Sequence, residues 1–168
     1  MDVILAAAPS LPVLSGFAYL IVAGFQAAYP DADPSQYLTD AGMARLDEVD
    51  KGCVADVIKA FAGSKDLVRP GAMSSGPWLD LAKENNPGNV KTAAPILIIH
   101  SQGDEVVPVA LSELLLTRLC TEDQVVERRV VDRGGHGATA PSAYDDGLIW
   151  LRGRFDRLDG VVNTCDGA

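Results

Sequence analysis

Pro95-Ile-Leu-Ile-Ile-His-Ser-Gln-Gly-Asp104-Glu-Val-Val-Pro108 decides the fold of this chain. Ile96, Leu97, Ile98 and Ile99 run on without a polar interruption, the composition of a strand buried on both faces of a parallel sheet. A turn through Gln102 and Gly103 breaks the run and sets Asp104 at the strand's carboxyl end, where open parallel sheets place their ligands. Val125 to Val131 alternates well enough for a second strand, with Glu127-Arg-Arg129 as its polar part. Gly134-Gly-His136-Gly137 follows it. A carboxylate and an imidazole are therefore expected at the carboxyl ends of two consecutive strands.

Outward from these strands, Val109 to Leu119 predicts a connecting helix with Leu111, Leu114, Leu115 and Leu119 on one side. Tyr144 to Phe155, with Leu148, Ile149, Trp150 and Leu151, predicts a final helix. Strand, helix, strand, helix is the order of a parallel sheet, so the fold class is α/β. Upstream, Val3 to Ala8 is a short apolar run ended by Pro9 and reads as an interior strand. Ser15 to Ala28 reads as an apolar helix closed by Tyr29-Pro30. From Asp40, expected as N-cap, Met43, Leu46, Val49, Cys53, Val57, Ile58 and Phe61 recur at three- and four-residue spacings and predict one amphipathic helix. Residues 64–94 are rich in proline and glycine, with a short helix at Trp78 to Glu84, and read as the return from an inserted helical lid. The expected organisation is 1–14 as first core strand and turn, 15–93 as helical lid, and 94–168 as the core bearing Asp104 and His136.

A length of 168 residues suits one domain with a sizeable core, and 48% hydrophobic with 22% charged content is that of a folded globular chain. The net charge of -9 argues against a nucleic-acid partner and against adhesion to anionic membranes. Leu11 to Ala28 is apolar, but Pro12, Gly16, Gly24 and Gln26 interrupt it and no basic residue precedes Arg45, so no stable membrane insertion is expected. Met1-Asp2 lacks the positive start of a signal peptide. Three cysteines are an odd count. In a secreted protein this implies one bridge and one leftover thiol; three unpaired small hydrophobes in a cytosolic protein is the alternative. Cys165 lies in the polar tail Val162-Asn-Thr-Cys-Asp-Gly, a poor place for a buried thiol, which favours a Cys120–Cys165 bridge.

Small neighbours let the His136 loop approach a substrate closely, and histidine titrates near neutrality, as a general base must. An ordinary loop histidine is the bland alternative. A carboxylate at Asp104 would fix the imidazole tautomer, or would cap the Val109 helix. Glu105 is the competing acid. No cofactor and no metal are expected.

The block Ala94 to Val109, then Leu119-Cys120, then Gly134-Gly-His-Gly137, resembles the C-terminal part of the secretory lipase family. That α/β-hydrolase group includes fungal lipase A enzymes and many actinobacterial secreted lipases. The preceding helical stretch, including Trp78 and Glu84-Asn-Asn-Pro-Gly88, resembles the family's lid, so the resemblance covers nearly the whole chain. It implies a partial α/β-hydrolase fold of about three parallel strands with flanking helices and an inserted lid. It implies Asp104 as triad acid and His136 as triad base in Ser…Asp…His order, a lipid or short-chain ester as substrate, secretion, and two disulfides. One of these would be Cys120–Cys165, and Cys53 would pair with an upstream cysteine.

The family's Gly-x-Ser-x-Gly elbow and its early oxyanion loop lie before the matched region, and no such elbow occurs in the 168 residues. The chain is accordingly expected to be the C-terminal portion of a longer enzyme or a truncated descendant. Activity would then need a rebuilt site or a second chain. The alternative is a non-catalytic module that binds acyl chains or a partner. Ser101, in His100-Ser-Gln-Gly103, imitates the elbow but has Ile99 for its first glycine, and the helix after it starts too late. Ser74, Ser75, Ser15 and the Cys53 thiol, expected on the apolar face of its helix, rank lower. A partial sheet leaves an open edge, which predicts a homodimer formed through that edge, or rearrangement, or aggregation.

Overall fold

The computed structural model describes residues 2–8, 14–157, 160 and 162–167. The chain divides into two compact units, Met1–Asn86 and Pro87–Ala168. Pro9, and the Leu11 to Val13 part of the apolar stretch, lie outside the described residues. Among those described, no helix is long and apolar enough to cross a membrane.

The first unit is helical: α1 (Asp2–Ala7), α2 (Ser15–Ala28), α3 (Asp40–Met43), α4 (Val54–Phe61) and α5 (Pro77–Glu84), with 3-10 turns at Pro34–Gln36 and Leu46–Asp50. The expected strand at Val3 to Ala8 is therefore a helix and the turn that ends it, the Ala8 N–H donating to the Ile4 carbonyl at 3.0 Å. A run this short carries no period to separate strand from helix, and its three alanines favour the helix. Leu5 enters a core built from Tyr19, Val22, Leu38, Val57, Phe61 and Trp78. Aromatic rings fill this core while their polar tips find carbonyls. Tyr19 stacks on Phe61 with ring centroids 3.8 Å apart and donates to the Gly42 carbonyl at 2.8 Å. The Tyr37 hydroxyl donates to Leu5 at 2.7 Å and the Trp78 indole N–H to Asp33 at 2.8 Å.

The single helix expected from Asp40 to Phe61 is broken. Thr39, not Asp40, caps α3, its hydroxyl accepting the Gly42 N–H at 3.1 Å. After Gly52 a new start is made, where the Asp56 carboxylate accepts the Cys53 N–H at 3.0 Å and α4 begins at Val54. Capping groups interrupt the backbone while the apolar spacing continues through them.

The second unit is a βαβα arrangement: β1 (Ile96–Ser101), α6 (Ala110–Thr121), β2 (Val126–Val131) and α7 (His136–Asp156). The strands are parallel, Ile96 opposite Val126 and Ser101 opposite Val131. Among the described residues the sheet has two strands, not about three, since the segment expected as the third is α1. Ile96, Ile98 and Val126 pack with Leu115, Leu116 and Leu119 of α6. Leu97 and Ile99 border a cavity of about 480 Å³ with Ala140, Ala143 and Leu148 of α7. Alternate strand residues thus serve opposite faces, one helix on each. Leu114, expected on the packed side of α6, is half exposed.

The two sheet edges differ. On β2, the N–H groups of Val126 and Arg128 donate to Asn163 Oδ1 at 3.2 Å and Thr164 Oγ1 at 2.9 Å. The Cys120–Cys165 disulfide ties that tail to α6, so the bridge the tail composition favoured is formed. On β1, the N–H groups of Ile96 and Gln102 donate to Val125 and Val131 at 3.0 and 2.8 Å. Those of Leu97, Ile99 and Ser101 consequently point to the other side, where no described residue accepts them.

Candidate active site

Beyond β1 the chain turns back at Gln102 and Gly103, and Asp104 closes the turn with its own side chain. Asp104 Oδ1 accepts the N–H groups of Val106 and Val107 at 2.9 and 2.7 Å, the local bonding that makes aspartate a turn residue. These amides precede α6, whose cap position is Val109 with no side-chain bond, so Asp104 is not that helix's N-cap. Its other oxygen, Oδ2, lies 2.9 Å from Nδ1 of His136.

The two partners have opposite surroundings. The Asp104 side chain is 8% exposed and that of His136 is 51% exposed. Burial by itself would raise the Asp104 carboxyl. The Val107 N–H, the His136 imidazole and the Val106 N–H together outweigh that effect and hold it down at about 2. Asp104 is thus a buried carboxylate that stays ionised. An ionised carboxylate only accepts, so Nδ1 of His136 carries the proton between them and Nε2 is the basic nitrogen of the neutral ring. No described residue hydrogen-bonds Nε2.

His136 is the first residue of α7, which starts there and not near Tyr144. Pro141 lies inside the helix without ending it, and the Gly134-Gly135 pair before it made the segment resemble a loop. Glu105 Oε2 accepts the His136 backbone N–H at 3.0 Å. That N–H, with Glu105's own, holds the Glu105 carboxyl below its ordinary range. Glu105, the competing acid, therefore sits on the helix N-terminus, where negative charge is favoured, and does not orient the imidazole. Of the two glycines beside His136, only Gly135 has a neighbour that a Cβ would meet, the Glu105 carboxylate, whereas one at Gly137 would meet nothing within 4 Å.

Ser101 is 2% exposed. Its hydroxyl donates to the Gly134 carbonyl and accepts the Gly103 N–H at 3.2 Å, so it fastens the Asp104 turn to the His136 loop and is not poised as a nucleophile. Ser74 and Ser75 are exposed and Ser15 is buried, all in the first unit. Cys53 is exposed at the N-cap of α4, not on a buried apolar face.

One residue of the site was not singled out by the sequence. His100 Nε2 lies 2.9 Å from the Val107 carbonyl and 3.4 Å from Asp104 Oδ2. The usable signal was parity: His100 shares the strand face of Ile96 and Ile98 and precedes the Asp104 turn. Among the described residues, no group of three or more His, Cys, Asp or Glu is placed to hold a metal ion.

An exposed imidazole hydrogen-bonded to a buried carboxylate can accept and return a proton at its free nitrogen. The family model for secretory lipases matches residues 10–162, and the chain belongs to that family. A stretch of 68 residues, 40% of the chain, is 29% identical to Lipase A of Arthroderma benhamiae and spans 14% of that protein's length.

Proposed function

We propose that the chain supplies the acid and base of a carboxylic-ester hydrolase acting on lipid or short-chain esters, with His136 as general base and Asp104 as its orienting acid. The observation that carries this reading is the 2.9 Å contact between Asp104 Oδ2 and His136 Nδ1. Nε2 would take the proton of an attacking hydroxyl and return it to the departing alkoxide, while Asp104 stabilises the imidazolium formed in between. The hydroxyl is not assigned to Ser101, which is committed to two hydrogen bonds, and no Gly-x-Ser-x-Gly stands in the 168 residues. The helical first unit would serve as the lid. A disulfide between Cys120 and Cys165 suits secretion into an oxidising compartment.

The test combines turnover of a short-chain p-nitrophenyl ester with mass spectrometry after fluorophosphonate labelling, which identifies the nucleophile and the polypeptide that carries it. His136→Ala is expected to abolish turnover; undiminished turnover would overturn the assignment. A second reading, a non-catalytic module that binds acyl chains or a partner, is favoured by the burial of Ser101 in two hydrogen bonds. Its expected result is acyl-chain binding with neither turnover nor labelling.

A further inference from the structure

We infer that His100 is a positioning residue for the Asp104–His136 pair, acting through the Val107 peptide to hold the Asp104 carboxylate in one orientation. The inference rests on the acid–base reading above.

Val107 is gripped from both ends. Its N–H donates to Asp104 Oδ1 at 2.7 Å, and its carbonyl meets His100 Nε2 at 2.9 Å. A carbonyl oxygen can only accept, so His100 Nε2 carries the hydrogen and the neutral ring is the Nε2–H tautomer with a bare Nδ1. The same N–H lies 3.4 Å from Asp104 Oδ2, a secondary contact on the oxygen that faces His136. Protonating His100 adds a hydrogen at Nδ1 and leaves the Nε2–H in place, so the grip persists in both charge states. The ring itself is anchored: its backbone belongs to β1 opposite Val130, and its side chain is 11% exposed. A path of direct bonds therefore runs from the sheet through His100, Val107 and Asp104 to the imidazole that does the proton transfer. Short turns bearing a catalytic carboxylate lose reactivity when they wander, because rate falls steeply with misplacement of the reacting groups. An apolar ring at position 100 could fill the same space but could not hold the Val107 carbonyl.

The chain has two histidines, so both imidazoles can be followed by NMR in the intact protein, with His136→Ala assigning the signals. Long-range nitrogen–proton correlation of the wild type reports the tautomer of His100 without any variant; the Nε2–H form is expected, and the Nδ1–H form overturns the inference. The low-field Nδ1–H proton of His136 is then compared in His100→Phe and His100→Gln. The phenylalanine variant should speed its exchange with water about tenfold, the worth of one hydrogen bond, and glutamine, whose amide N–H reaches as far as Nε2, should restore the wild-type rate. Exchange unchanged in His100→Phe would show packing alone and overturn the inference. If the phenylalanine variant fails to fold, the wild-type tautomer decides. A wild type with no protected His136 proton would instead count against the acid–base pair itself, which the His100 tautomer does not test.

Discussion

Two amides and an imidazole donate to Asp104, and the oxygen that accepts from His136 also lies 3.4 Å from His100 Nε2. Asp104→Asn retains the shape and the oxygen that accepts from Val106 and Val107. It offers an NH2 where Oδ2 stood, so His136 must present a bare Nδ1 and the proton moves to Nε2, the wrong tautomer for a base. Ester turnover should fall by about 10⁴-fold, as for the equivalent change in a serine-protease triad; a loss under tenfold would remove Asp104 from the relay. The same carboxylate should show in the acid stability of the protein. Its folded value of about 2 lies below the ordinary aspartate value, so its contribution is complete above about pH 4 and disappears as the pH falls through about 2. Urea midpoints measured down that range should drop further for wild type than for Asp104→Asn, and parallel curves would refute the claim. Asp104 and His136 were legible in the sequence because strand composition and flanking glycines mark rim positions. His100 was not, because its partner is a backbone carbonyl that no residue type announces.

At the scale of elements, what the sequence disclosed depended on whether local spacing or capping was decisive. α2, α5, β1 and β2 fall where composition put them, since each is a single uninterrupted pattern. α3 and α4 share one apolar rhythm, but each begins at its own cap, α3 at the Thr39 hydroxyl and α4 where Asp56 accepts the Cys53 N–H. The start of α7 was hidden for a related reason: its N-terminal acceptor, Glu105, lies on a different loop. This last arrangement can be broken at a glycine. Gly135 has φ -81°, a value alanine adopts readily, so Gly135→Ala costs no backbone strain. Its new Cβ would collide with Glu105 Oε2, and a long exposed side chain yields easily. The expected outcome is that Glu105 swings off the helix end, the His136 amide loses hydrogen-exchange protection, and Tm falls. An amide as protected as in wild type would mean that the contact contributes nothing to α7.

In the second unit the tail covers one sheet edge, while at the other no described residue accepts the outward N–H groups, and each condition has a measurable consequence. The seal on β2 depends on the tail that Cys120–Cys165 holds across a sequence separation of 45. Closing a loop of that size is worth roughly 2–4 kcal/mol, so Cys120→Ala with Cys165→Ala should lower the unfolding free energy by about that amount, and denaturation unaffected by the double change would show the tail is held otherwise. The β1 edge presents the outward N–H groups of Leu97, Ile99 and Ser101, beside a helix α7 that leaves Tyr144, Leu148, Ile149, Leu151 and Phe155 exposed. A second copy of this chain can meet both features at once, two β1 edges pairing antiparallel across a two-fold axis while the α7 residues bury one another. A charge of -9 on each copy opposes the contact, and salt screens that repulsion over about 8 Å at physiological ionic strength. Light scattering should therefore find a dimer that strengthens with added salt. Ile99→Pro removes an N–H that faces away from β2, so it should leave the β1–β2 ladder formed and shift the protein to monomer. A wild-type chain that stays monomeric at every salt and protein concentration, or a dimer indifferent to Ile99→Pro, would rule out pairing through this edge.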